Sequence, residues 1–147
     1  MSLSRVFTPD NERYEGVRPI KVYVLRVLYA LMALFVATDS WRTILTHEGP
    51  WDRFRAMAFC VWATYTTLAI LGVFHPLRML PIMFFTAGYK TLWLALVAYP
   101  LWRAGTLWDS PEALMTRAFI GVPIFAIAIP WGYAFRHYVL GRRTQPA

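Results

Sequence analysis

Apolar residues fall into four long runs separated by short polar stretches. The first, residues 20–42, carries no charge between positions 27 and 38. The second, 54–74, is entered at Arg55 and interrupted by Thr64, Tyr65, Thr66 and Thr67. The third, 79–102, holds a single charge, Lys90, and the fourth, 118–140, contains Pro123 and Pro130. A hydrocarbon layer of ~30 Å is crossed by about 20 helical residues at ~1.5 Å each. Each run is therefore predicted to be a membrane-spanning helix. None alternates with period two, which argues against a β-barrel, and no internal repeat marks an inverted-repeat transporter.

The polar stretches between the runs carry their own signals. Gly49-Pro50 predicts the opening of the second helix, since proline in a first turn forfeits only an orphan N–H. His75-Pro76-Leu77-Arg78 predicts a tight turn, with His75 ending the second helix because the residue before proline avoids helical backbone. Ser110-Pro111-Glu112 predicts a start for the fourth helix before the bilayer, with a hydroxyl cap and an acid at the positive dipole end. The predicted fold is an all-α integral membrane protein, an up-down-up-down bundle of four transmembrane helices occupying residues 20–140. A polar cytoplasmic segment, 1–19, precedes it and a short cytoplasmic tail, 141–147, follows. Residues 1–19 lack the apolar run and small-residue cleavage site of a signal peptide, so the first helix reads as an uncleaved anchor.

Composition agrees with this picture. Of the 147 residues, 58% are hydrophobic and 16% charged, against about 45–50% and about 25% in soluble domains. Disorder is excluded by the apolar content, and an intrachain disulfide by the single cysteine, Cys60. The net charge of +7 sorts by side. One face of a four-span chain would hold nine basic residues: Arg5, Arg13, Arg18, Lys21, Arg26, Arg78, Arg136, Arg142 and Arg143. The other would hold five: Arg42, Arg53, Arg55, Arg103 and Arg117. The positive-inside rule then predicts both termini in the cytoplasm, in a multi-pass protein of the bacterial inner membrane. The charge is accordingly read as a topology signal with unspecific attraction to anionic lipid, and nucleic acid is not an expected partner. Trp41, Trp51, Tyr99, Trp102 and Trp108 are predicted near one interface, and Tyr23, Tyr133 and Tyr138 near the other.

Lys90 is the strongest candidate for chemistry. It lies roughly 16 Å from either end of its helix, where a charge costs at least ~2.5–3.5 kcal/mol, so it is expected to point into the bundle. A ligand or ion site and a structural clasp are equally favoured readings, ahead of snorkelling to an interface. Met83, Thr86, Ala87, Trp93 and Leu94 share its helical face, and Tyr65 lies at similar depth on the preceding helix. Asp39 is the only acid within a span. A pair with Lys90 is strained by depth, and local contact with Arg42 or Thr43 is preferred. The candidate ligand site is thus Lys90, Tyr65, Thr86, Trp93 and Asp39. Arg26 is expected to snorkel toward the cytoplasmic side. Cys60, Thr64 and Thr67 form a small-residue stripe expected to pack against a neighbouring helix. Pro123 and Pro130 are expected to kink the fourth span.

Catalytic constellations are weak. His47, His75 and His137 share no metal-ligand spacing at one depth, and no phosphate loop, dinucleotide fingerprint or nucleophile elbow occurs. No catalytic residue, metal or cofactor is expected.

The segments EGVRPIKVYVLRVLYALM, EGPWDRFRAMAFCVWATY, HPLRMLPIMFFTAGYKTLWLALVAYPLW and IPWGYAFRHYV together resemble a group of small bacterial four-span membrane proteins of no assigned function. The resemblance covers residues 15–139 and implies the same four-span architecture, with no site residue to carry over. A looser similarity in architecture, without a shared motif, is to DoxX-like four-helix membrane proteins. The expected function is a non-catalytic membrane component: a subunit, assembly factor or scaffold in a homo-oligomer or a larger membrane complex. The alternative is a binding or transport module for a small anion, lipid or quinone centred on Lys90. An enzyme ranks third, because nothing positions an acid, base or nucleophile.

Overall fold

The computed structural model describes Thr8 and residues 14–141, and every regular element among them is a helix. The polar segment through residue 13, apart from Thr8, and the tail from Arg142 onward lie outside the described residues. Helix α1 runs over Pro19–Thr46, α2 over Arg53–Phe74 and α3 over Leu80–Arg103. Each is long and apolar enough to cross a membrane. The fourth apolar run forms three pieces: α4 (Ala113–Phe119), α5 (Val122–Ala128) and α6 (Trp131–Val139). Three helices therefore qualify as spans, or four if the broken run counts as one.

The helix ends follow from side-chain chemistry, with two corrections. Asp52 caps α2, its carboxylate accepting from the backbone N–H of Phe54 (3.1 Å) and Arg55 (2.9 Å). The expected opening at Gly49-Pro50 is thus displaced: an acid on the first free N–H groups outweighs a proline in the first turn. Ser110 likewise does not cap α4, because its hydroxyl donates to the Leu107 carbonyl at 2.7 Å. His75 ends α2 as expected.

Proline acts differently at its two positions in the fourth run. Pro123 sits in the first turn of α5, so it opens a new helix after the Ile120-Gly121 turn instead of bending a continuous one. Pro130 breaks the helix outright, with Ile129 extended (φ −61°, ψ 124°) and Pro130 at φ −79°, ψ 80°.

The chain divides into two compact units. One comprises residues 1–82 with 130–147, the other 83–129, so the divisions fall inside α3 and at Pro130. In the first unit α1 packs along α2. The buried face of α1 starts as Val22, Leu25, Tyr29 and Met32, the spacing of an α-helical stripe. A π-helical stretch, Met32–Ala37, then inserts one residue's worth of rotation. After it the stripe continues at Ala37 and Ser40.

On α2 the buried stripe is Ala63, Thr66, Ala69 and Gly72. The expected stripe of Cys60, Thr64 and Thr67 lies beside it and is exposed. The Thr64 and Thr67 hydroxyls bond back to the Cys60 and Ala63 carbonyls at 2.8 and 2.6 Å. Local back-bonding takes up both hydroxyl protons. Thr67 also accepts from the Trp41 indole N–H at 2.9 Å, tying the two helices together.

Candidate functional site

The second unit contains Lys90, at the centre of α3. Thr86 and Met83, one and two turns earlier on the same face, are fully buried, and Lys90 and Trp93 are half-buried. The face inferred from spacing is therefore the packed one. Just beyond it, at Leu94–Ala98, the end of α3 meets α4.

The Lys90 ammonium lies 5.2 Å from the centroid of the Phe119 ring and 5.0 Å from that of Phe125. Both distances are within the range in which a ring quadrupole attracts a cation, and the attraction strengthens when water is excluded. Phe119 is itself buried and held edge-on by Tyr89 at 5.5 Å and Trp93 at 6.0 Å. The ring is thus fixed by its neighbours before the ammonium meets it. The geometry is a cation clasped by two aromatic rings from successive helices α4 and α5, with no carboxylate bonded to it among the described residues.

Two donors near this clasp are unsatisfied. The Trp93 indole N–H and the Thr116 hydroxyl are buried without a hydrogen-bond partner. Trp93 touches the Phe119 ring, and Thr116 precedes Phe119 by three residues on α4, which places both on the same helical face. A buried polar group without a partner costs about 1–3 kcal/mol, so each of these two donors favours an acceptor.

Tyr65 and Asp39 belong to the other unit. Tyr65 is buried on α2. Asp39 is exposed, and its carboxylate makes no hydrogen bond or ion pair with a described residue, so the expected side-chain contact with Arg42 or Thr43 is not formed. The five sequence-inferred residues are thus divided between the units: Lys90, Thr86 and Trp93 in one, Tyr65 and Asp39 in the other. Sequence reasoning missed Phe119 and Phe125, because a phenylalanine in an apolar run carries no mark of what its ring will face.

Among the described residues no group of three or more His, Cys, Asp or Glu gathers to hold a metal. Arg26 extends back along α1, its guanidinium 6.0 Å from the Tyr23 ring, the direction expected for snorkelling. No family model, curated protein or solved structure matches the chain.

Proposed function

We propose that this chain is a non-catalytic, multi-pass protein of the bacterial inner membrane that acts as a subunit, assembly factor or scaffold. It would be a member of the small four-span proteins its segments resemble, with both termini cytoplasmic. The observation that carries the reading is the Lys90 clasp: the one charge at mid-depth is engaged by Phe119 and Phe125 and so serves packing. The membrane-length helices supply a second argument. Only 17–33% of the apolar windows of α1, α2 and α3 is buried, leaving broad surface for lipid or a neighbouring subunit.

Crosslinking in native membranes followed by gentle detergent extraction tests the proposal. The expected result is a crosslinked assembly larger than the 17.0 kDa chain. A monomer at every crosslinker concentration overturns it.

The second reading, a binding module centred on Lys90 for a small anion, lipid or quinone, is favoured by the unpartnered Trp93 and Thr116 donors. A ligand bearing carbonyl or anionic oxygens would satisfy both. Native mass spectrometry of the extracted protein distinguishes the two readings: a retained small molecule lost in Lys90→Met supports binding, and its absence from the wild type supports packing.

A further inference from the structure

At one end of the first unit the start of α1 meets α6 across an open cleft of about 450 Å³. Arg18, Lys21 and Arg136 line it together with Trp131 and Tyr133. No carboxylate lines the cleft among the described residues. We propose that this cleft binds the phosphate of an anionic phospholipid headgroup, an assignment independent of Lys90 and of the scaffold reading.

Local structure holds the cations in place. Gly16 adopts a left-handed conformation (φ 81°), and the Val17 N–H donates to the Tyr14 carbonyl at 2.9 Å, closing the turn that precedes α1. Arg18 is extended at the helix N-cap and Pro19 fixes the first turn. The Lys21 N–H bonds the Arg18 carbonyl at 3.0 Å, so the two cations stand on one turn, three residues apart. Across the cleft the Arg136 Nε donates to the Gly132 carbonyl at 3.1 Å. That bond anchors the guanidinium plane, while its terminal nitrogens make no bond to a described residue. Arg18 is exposed and likewise makes none. Guanidinium groups recognise phosphate oxygens by paired N–H donors.

Position favours a lipid over a soluble phosphate. The lining belongs to the first turn of a membrane-length helix and to a piece of the broken fourth run, the level at which headgroups lie. Trp131 is exposed beside the cations, as amphipathic rings are at headgroup depth. Exposed Val27 on α1 and Phe135 on α6 offer apolar surface to acyl chains. A second cleft of about 260 Å³, which also reaches Tyr133, adds Arg26 and Arg78 against the single carboxylate Glu15. The surrounding field is therefore positive, drawing anions to this end.

The test is a binding titration of the full chain in a neutral detergent, read by thermal shift. The probes are dioctanoyl phosphatidylglycerol, dioctanoyl phosphatidylcholine and glycerol phosphate. Phosphatidylglycerol is expected to raise the unfolding temperature at concentrations where the other two do not. Arg18→Gln/Arg136→Gln should weaken its apparent affinity at least about tenfold, whereas Arg53→Gln at the opposite end of α2 should leave it unchanged. Arg18→Gln alone, at an exposed position outside the helix, should weaken it about fivefold, and keeps the test decisive if the double variant does not fold. Equal response to phosphatidylcholine, or wild-type affinity in the Arg18→Gln variant, overturns the site. An equal response to glycerol phosphate overturns the lipid assignment in favour of a soluble phosphate ligand.

Discussion

The ring of Tyr29 occupies the space where a side chain on Gly72 would begin. A Cβ built on Gly72 would come within 2.5 Å of the Tyr29 Cγ. Glycine at this point of α2 lets a fully buried aromatic ring lie against the opposing backbone. The Tyr29 hydroxyl then reaches the Pro76 carbonyl at 3.2 Å, beyond the end of α2. One contact thus packs α1 on α2 and fastens the α2–α3 turn.

Gly72→Ala is therefore expected to destabilise the protein by ~1–3 kcal/mol, the usual range for an overpacked core. Tyr29→Phe should lose less, about 0.5–1.5 kcal/mol, because only the hydrogen bond to Pro76 goes. Tyr29→Ala should make Gly72→Ala nearly silent, since the clash disappears with the ring. Thermal unfolding in detergent of the three variants and the double variant checks this. Additive losses would show that the two residues do not share the space.

The Lys90 clasp predicts a coupling between side chains that no ion pair could supply. Lys90→Met removes a desolvated charge and a cation–π attraction of ~0.5–2 kcal/mol together, so its effect on stability should be small or favourable. Phe125→Leu should destabilise in the wild-type background by more than in Lys90→Met, the difference being the cation–π term. A double-mutant cycle measures it. A loss of ~3–5 kcal/mol on Lys90→Met would show instead a broken buried ion pair.

The presence of α1, α2 and α3 was legible in hydropathy, because a bilayer's thickness sets a run of apolar residues, although α1 continues to Thr46, past the expected end at 42. So were the packed face of α3 around Lys90 and the end of α2 at His75. The partners of Lys90 were not legible, since Phe119 and Phe125 reach it through the turn at Ile120-Gly121 and the restart at Pro123, which periodicity reads as one helix. Nor was the π-helical stretch in α1 legible, because its sequence, MALFVA, is an ordinary apolar run.

That stretch decides the fate of Asp39. On an uninterrupted α-helix in register with Val22, Leu25 and Tyr29, position 39 would fall at the margin of the packed face. The extra residue of the π turn hands that place to Ser40, which is buried, and turns Asp39 outward. Asp39→Asn should therefore change stability by less than ~0.5 kcal/mol. Combined with Lys90→Met its effect should be additive. Coupling between the two in thermal unfolding would place the carboxylate beside the ammonium and contradict the rotation.

The last prediction concerns sidedness. Arg18, Lys21, Arg26, Arg78 and Arg136 line two clefts at one end of the first unit. That end gathers the start of α1, the α2–α3 turn and α6. Of the basic residues, nine are assigned to this side by four-span parity and five to the other, counting Arg5, Arg13, Arg142 and Arg143 with the first group. Translocation disfavours the more basic flank, so this end is expected to face the cytoplasm and carry both termini. Cys60, the only native thiol, lies on the exposed face of α2 and must be removed before a reporter is introduced. In a Cys60→Ala background, a cysteine at Ser2 or at Ala147 should resist a membrane-impermeant maleimide in intact cells and react once the membrane is opened. A cysteine at Glu48, between α1 and α2, should react in intact cells. Labelling of Ser2 or Ala147 from outside reverses the orientation. Opposite behaviour of the two positions means an odd number of spans, with α4, α5 and α6 failing to complete a crossing.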